Sequence, residues 1–312
     1  MVEDKELRQK FDKALELFMK RIELDTSILA IFVLGSYTNG IVWEKSDIDM
    51  VIVIKEDKVL QDLIVIREND VQINAYIISR NDYRRNQQRF LQGSITHHML
   101  STSKLIHSSD RGISEFNRDM FSVAERDREL QILIRSEMLV GDLHKIKKTL
   151  YVEKSLEKSF NWVIFATQEI ARILIFLEGK IPGRDILTQA QEVSINEILD
   201  NIILNVFKKG FSEQSVEYAL NLIEEFLVQN TSNFFKPLLD YLKESVGERS
   251  HSELDLYFQK ATGFQGLTLV ESISWLSDRG ILMLGSKPKR ITARSRVTVD
   301  ETTIFYIGGE EE

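Results

Sequence analysis

At 312 residues, 43% of them hydrophobic and 28% charged, the chain is long enough for one to three domains and a sizeable core. It contains no cysteine, which excludes disulfides, thiolate nucleophiles and cysteine-ligated zinc or iron–sulfur centres. A formal net charge of −8 argues against a general nucleic-acid coat protein, because phosphate binding is driven by clustered Lys and Arg, and leaves room only for a local basic patch.

The charged start, MVEDKELRQK, lacks the apolar stretch of a secretory signal, and the longest uninterrupted apolar runs, such as Ile28–Leu34, are too short to span a bilayer; the expectation is a cytoplasmic protein with no membrane partner. Residues 3–24 place Leu7, Phe11, Leu15, Phe18, Met19 and Ile22 at helical intervals. The run SILAIFVLGS is too short for a helix and reads as a buried strand entering a Gly-Ser turn. After a polar loop, Asp47–Ile54 (DIDMVIVI) is a β-branched second strand. Val71–Ser79 and Lys104–His107 read as further strands, with helical patterns at Arg80–Gly93 and from Gly112 onward. Strands mixed with helices on a small sheet make an α+β domain over residues 1–122.

From 123 to 247 the pattern is helical throughout, with Glu129–Leu143, Leu156–Glu178, Ser194–Lys208, Ser212–Gln229 and Asn233–Glu244 forming a bundle. Residues 248–312 hold two helical patterns, Ser252–Ala261 and Thr268–Arg279, then two strands around a turn, an order that suggests a winged-helix-like unit. Lys287, Lys289, Arg290, Arg294 and Arg296 cluster around that turn. A positive wing is a footprint for duplex nucleic acid, although Thr268–Arg279 offers few side chains that read bases, and such units also serve in dimerisation or as substrate lids. The acidic end, Glu310–Glu312, reads as a frayed tail.

Chemistry concentrates in LGSYTNGIVWEKSDIDMVIVI, residues 34–54. Side chains alternate along a strand, so Asp47 and Asp49 share a side and Ile48 takes the other. Two adjacent carboxylates repel unless a cation sits between them, and Mg²⁺, which takes oxygen ligands and accompanies substrate phosphates, suits the pair, with Mn²⁺ as a substitute. Gly35 and Ser36, twelve positions before Asp47, close the preceding strand where backbone amides and a hydroxyl can approach a phosphate. The five histidines, His97, His98, His107, His144 and His251, show no HExxH or HxH spacing and read as ordinary surface or partly buried residues.

The set Gly35, Ser36, Asp47 and Asp49 resembles the hallmark of the DNA polymerase β-like nucleotidyltransferase superfamily, a Gly-Ser turn followed by Asp-hydrophobic-Asp, with the spacing of its minimal and kanamycin-type branches. The resemblance covers about residues 28–110. It implies Mg²⁺-dependent transfer of a nucleoside monophosphate from an NTP, with ATP the leading candidate, to an acceptor hydroxyl on a small molecule, a protein or RNA. Asp47 and Asp49 would be metal ligands, and Gly35, Ser36, Ser46 and Arg84 would contact the nucleotide. Relatives place a third acid on the next long strand; aligned by its terminal serine, VQINAYIIS puts Asn74 there, an auxiliary metal ligand through its carbonyl or a substrate contact, though an amide accepts no proton. Asp70, the nearest acid on that face, lies about 13 Å along the strand. In kanamycin-type relatives a glutamate from the helical region acts as base; Glu169 is the candidate here, against the plainer reading of an ion pair with Arg172 three positions on. The row Arg80, Arg84, Arg85 and Arg89 reads either as a phosphate contact or as a solvated helix face. The rival from another class is a catalytically impaired, nucleotide-responsive nucleic-acid-binding protein that works through its C-terminal unit.

Overall fold

In a computed structural model the described residues are 5–308, apart from 39, 41, 91–94, 120, 122, 194–196, 211 and 246, with backbone only for 86–90, 95, 96 and 119. The chain divides into two compact units, Met1–Ala124 and Glu125–Glu312.

The first unit runs α1 (Lys5–Ile22), β1 (Ile28–Leu34), β2 (Ile48–Ile54), β3 (Leu63–Glu68), β4 (Val71–Ser79), α2 (Arg80–Phe90), α3 (Ile95–Ser101), β5 (Lys104–Ser108) and α4 (Arg111–Asp119). Its sheet has the order β3-β4-β2-β1-β5, with β2 and β4 parallel and the other neighbours antiparallel. β1 and β2 sit inside the sheet with both faces covered, which is why β1 (ILAIFVL) is apolar throughout and β2 (IDMVIVI) at every position but Asp49. Phe11, Ala14 and Phe18 of α1 pack on the face formed by Ile31, Val33, Ile48, Met50, Ile52, Ile73 and Ala75. The opposite face, with Phe32, Leu34 and Val53, is covered by Tyr83 of α2, Leu100 of α3 and Ile113 of α4. Ser79 caps α2 by accepting the amide of Asp82 at 3.0 Å, and Asp110 caps α4 by accepting that of Ile113 at 3.1 Å. Arg80 binds Asp110 and holds its carboxyl below the usual carboxylate range.

Strand β3 is absent from the sequence reading, which runs directly from Ile54 to Val71. It is an edge strand with Leu63, Ile64 and Val65 exposed, so no inward-outward alternation marks it. Its hairpin to β4 turns on Asn69 and Asp70, both with positive φ (48° and 58°), the conformation of a two-residue turn with left-handed centres.

The second unit contains α5 (Glu125–Lys147), α6 (Leu156–Leu177), α7 (Ile186–Val193), α8 (Glu197–Ile202), α9 (Glu213–Gln229), α10 (Thr231–Phe234), α11 (Lys236–Glu244), β6 (Arg249–Ser250), α12 (His251–Thr262), α13 (Val270–Asp278), β7 (Leu282–Arg290) and β8 (Thr298–Tyr306). Wider π turns, Lys148–Val152 and Ile203–Lys208, prolong α5 and α8. α7 is a helix that sequence periodicity did not single out; it buries only Ile186 and Ala190. Helix α6, 22 residues long, holds an 18-residue stretch of mean hydropathy 1.4 and is long and apolar enough to cross a membrane by length and composition alone, a feature that counting uninterrupted runs overlooked. Half of that stretch is buried within the unit, with Val163, Ala166, Ile170, Ile173 and Leu174 among the buried side chains. The hairpin β7–β8 pairs with β6 in the order β6-β8-β7, following α11, α12 and α13.

Helix α13 has Leu269 at its N-cap and no side-chain cap of its own. Glu137 of α5 supplies one from a distance: its carboxylate accepts the amides of Glu271 (3.1 Å) and Ser272 (2.7 Å) and the Ser272 hydroxyl. Five residues on, burial and the neighbouring Glu169 carboxylate push the Asp142 carboxyl up to about 7. A carboxyl raised on folding stabilises the unit fully below its unfolded pKa and progressively less as pH rises towards 7. Asp142→Asn is therefore expected to stabilise the unit at pH 8 by on the order of 2–3 kcal/mol, seen as a higher melting temperature, and to leave it unchanged at pH 4. Thermal melts of both proteins at the two pH values check this; equal shifts at both would contradict it.

Candidate active site

Strand β1 ends at Leu34, whose register partner across the antiparallel pair is Asp49 of β2. On the other side of β2, Asp49 stands opposite Asn74 of β4 in the parallel pair. Asp47 is the residue immediately before β2, so strand alternation brings its side chain to the side of Asp49.

One nitrogen ties these side chains together. Asn74 Nδ2 donates to Asp47 Oδ2 at 2.6 Å and to Asp49 Oδ1 at 3.0 Å, so both carboxylates converge on a single point. Gln72, two residues earlier on the same face of β4, donates Nε2 to Asn74 Oδ1 at 2.9 Å. The two carboxylates, which only accept, fix which way the amide faces: its NH₂ is given to them and its carbonyl oxygen is turned to Gln72. Asn74 thus acts as a neutral bridge between two like charges, and ligating a metal through its oxygen would require turning the amide over and giving up its bonds to Asp47 and Asp49.

The Gly-Ser turn lies against the same carboxylate. Gly35 has φ +81°, and a Cβ placed on it would stand 3.0 Å from Asp49 Oδ2, so glycine is required here both by conformation and by space. Thr38 Oγ1 donates to the Gly35 carbonyl at 2.8 Å, and the Gly40 amide donates to the Tyr37 carbonyl at 3.4 Å, closing the turn. Tyr37 anchors it to α1: its hydroxyl donates to Asp12 at 2.7 Å, Arg8 donates to its carbonyl at 2.8 Å, and the guanidinium lies 4.3 Å over its ring. Burial and Asp12 push the Tyr37 phenol up to about 12, so it stays a donor at all working pH. Among the described residues the Ser36 hydroxyl has no partner and is available to a ligand.

Two carboxylates converging beside a glycine turn fit a divalent cation that completes its shell with phosphate oxygens, the mode usual for Mg²⁺. Among the described residues no third His, Cys, Asp or Glu joins them. Asn74→Asp would add one, and is expected to raise Mg²⁺ or Mn²⁺ affinity about tenfold, since ligand charge count governs affinity at hard-cation sites. Metal titration by calorimetry checks it; unchanged affinity would show that position 74 does not face the cation.

The remaining residues singled out from the sequence fall into different roles. Ser46 Oγ accepts the Trp43 amide at 3.1 Å and so shapes the loop that leads into Asp47. In the arginine row, Arg80 is paired with Asp110 and Arg85 with Asp82 at 3.3 Å, while Arg84 is exposed and makes no ion pair among the described residues. The side chain of Arg89 lies outside the described residues. Glu169, on α6 of the second unit, has Oε1 bound by Arg172 at 2.7 Å and Oε2 by Arg135 at 3.4 Å, so both its oxygens are engaged. Of the hairpin cations, Lys287 pairs with Glu253 and Lys289 with Glu301. Arg290, Arg294 and Arg296 are exposed and have no partner among the described residues. Sequence reasoning missed Gln72 and Tyr37. The alternation that pairs Gln72 with Asn74 was there to be read, whereas nothing local links Tyr37 to Asp12, twenty-five positions away.

Residues 16–112 match the family model described as polymerase beta, nucleotidyltransferase. Among solved structures, a nucleotidyltransferase-like protein from Exiguobacterium sibiricum superposes with a TM-score of 0.66 over 95% of this chain and 99% of that one, at 14% identity, a likeness of fold. Spectinomycin adenyltransferase from Enterococcus faecialis, solved with ATP and spectinomycin, is matched over 69% of this chain and 98% of that one at 15% identity, with a TM-score of only 0.24, too low to carry a structural argument. No curated protein sequence matches significantly. With the glycine turn and the paired aspartates inside the matched span, residues 16–112 are a nucleotidyltransferase domain of the polymerase β superfamily.

Proposed function

We propose that the chain is a divalent-metal-dependent nucleotidyltransferase that moves a nucleoside monophosphate from an NTP to an acceptor hydroxyl and releases pyrophosphate. The observation that carries this reading is the side-by-side placement of Asp47 and Asp49, both bound by Asn74 Nδ2, with Gly35 against the other oxygen of Asp49. Mg²⁺ held there would neutralise the phosphates and favour the charge that develops at the α-phosphorus. The chain's own groups do the positioning. The amides of the turn after Gly35 and the free Ser36 hydroxyl grip the terminal phosphates, and exposed Arg84 supplies a further cation. Asn74 keeps the two acids aligned and takes no proton. In the transfer, the acceptor oxygen bonds to the α-phosphorus, the bond to the bridging oxygen breaks, and the hydroxyl proton passes to a base.

The test is an α-labelled NTP offered to wild-type and Asp47→Ala proteins with cell extract. Label should appear in an acceptor with the wild type alone, and its chemical class will show as small molecule, protein or RNA. Equal labelling by both proteins, or by neither, would sink the proposal.

One observation favours a second reading, a nucleic-acid partner for the C-terminal unit. The hairpin between β7 and β8 carries Arg290, Arg294 and Arg296 without partners among the described residues, beside the exposed Ile291 and Val297. Duplex binding lost on neutralising these arginines, with its salt slope falling by about 0.9 per phosphate contact removed, would support it. Duplex binding that persists in the triple variant would contradict it.

A further inference from the structure

The carboxylate pair does not end its sheet face. Alternation places Val51 and Tyr76 next along β2 and β4 on the side of Asp49 and Asn74, followed by Val53 and Ile78. With Leu34, the register partner of Asp49, Val51, Tyr76 and Ile78 form one wall of a cavity of about 410 Å³. Tyr83 of α2 and Met99 and Leu100 of α3 form the other wall, and the carboxylates of Asp62 and Asp82 stand at its edge.

We propose that this cavity is the nucleobase slot of the transferase, an inference that rests on the nucleotidyltransferase reading above. Three properties select a base over other occupants. The first is distance: the near end of the cavity lies one residue pair beyond Asp49, about 6–7 Å along the strands, a gap that a ribose spans. The second is lining: aliphatic and aromatic side chains suit a flat heteroaromatic ring, and the volume is that of a small-molecule site. The third is charge. Among the described residues no Lys or Arg lines the cavity, while two acids do, so the triphosphate is kept out and must lie at the Gly35 end.

The acids also set a preference. Asp82 is already occupied, by the Ser79 hydroxyl on Oδ2 at 2.7 Å and by Arg85 on Oδ1. Asp62 is exposed and has no side-chain partner among the described residues. A carboxylate only accepts hydrogen bonds, so Asp62 favours bases with an exocyclic amino group over bases that present carbonyl oxygens. The slot therefore selects ATP over ITP, in which a carbonyl replaces the 6-amino donor and the hydrogen moves to N1, provided that Asp62 meets the base at its exocyclic 6-position.

Calorimetry with Mg·ATP, Mg·ITP and Mg·tripolyphosphate tests this, because tripolyphosphate reports the phosphate and metal end alone. Val51→Trp fills the slot and should weaken ATP at least tenfold while tripolyphosphate binds within twofold of wild type. Unchanged ATP affinity with tripolyphosphate retained would overturn the slot. If Val51→Trp loses tripolyphosphate as well, Asp62→Ala on the exposed loop decides. A fall of fivefold or more in the ATP/ITP ratio supports the proposal, and an unchanged ratio overturns it. Failure of the underlying reading looks different: if wild type and Asp49→Ala bind Mg·tripolyphosphate equally, there is no metal–phosphate site, and both proposals go.

Discussion

Asp49→Asn is expected to lower nucleotidyl transfer roughly 10³-fold, about 4 kcal/mol of transition-state stabilisation, without loss of the fold. Asp49 is the residue where the pieces of the site meet: Leu34 pairs with it on one side, Asn74 on the other, and Gly35 approaches its Oδ2 so closely that a methyl group would press on it. An amide keeps the size of the side chain and one acceptor oxygen for Asn74, so packing in the sheet should persist. What it removes is one of two negative charges, half of the attraction available to a cation. It also relieves a like-charge contact, so the melting temperature should hold or rise slightly. Steady-state pyrophosphate release and a thermal melt on the same preparation separate the two effects. A variant with normal turnover, or one that fails to fold, would each contradict this description of the site.

Glu137→Ala is expected to destabilise the second unit by about 3–5 kcal/mol, the range for removing one partner of a buried charged network. Burial raises the Glu137 carboxyl and the Ser272 hydroxyl and the two amides of α13 pull against that rise, so the group is held by donors in a place that disfavours charge. Without it, two helix N-terminal amides are left inside the protein with no acceptor, because α13 begins after Leu269, which has no capping side chain. Glu137→Gln keeps one acceptor and should recover part of the loss. Denaturant midpoints for the three proteins measure the order wild type, Gln, Ala; indistinguishable midpoints would mean that α13 is capped by water and Glu137 is dispensable.

Much of the candidate site in the first unit was legible in sequence because its determinants are local. β1 and β2 are buried, so their apolar runs mark them, and a period of two on β2 is enough to place Asp47 and Asp49 on one side. The glycine that the turn needs is visible as Gly35 itself. Strand β3 was not legible, because an edge strand with exposed Leu63 and Val65 loses the alternation that burial imposes. Helix α6 shows a converse failure: Glu169 and Arg172 interrupt its apolar run, yet they sit at helical spacing and pair with each other, so the helix is more apolar than the longest run implied. The tethers Tyr37 to Asp12 in the first unit and Glu137 to α13 in the second join residues far apart in sequence, and no local pattern encodes them. In the C-terminal hairpin, composition showed five basic residues, but only the partners of Lys287 and Lys289 reveal which cations remain free.

The measurement that tests the central claim most directly is ATP binding by calorimetry with Mg²⁺ and with EDTA, on wild type and on Asp47→Ala. The expected result is wild-type affinity at least tenfold higher with Mg²⁺, and no such difference in the variant. Equal affinity with and without the cation in the wild-type protein would contradict a metal held between Asp47 and Asp49.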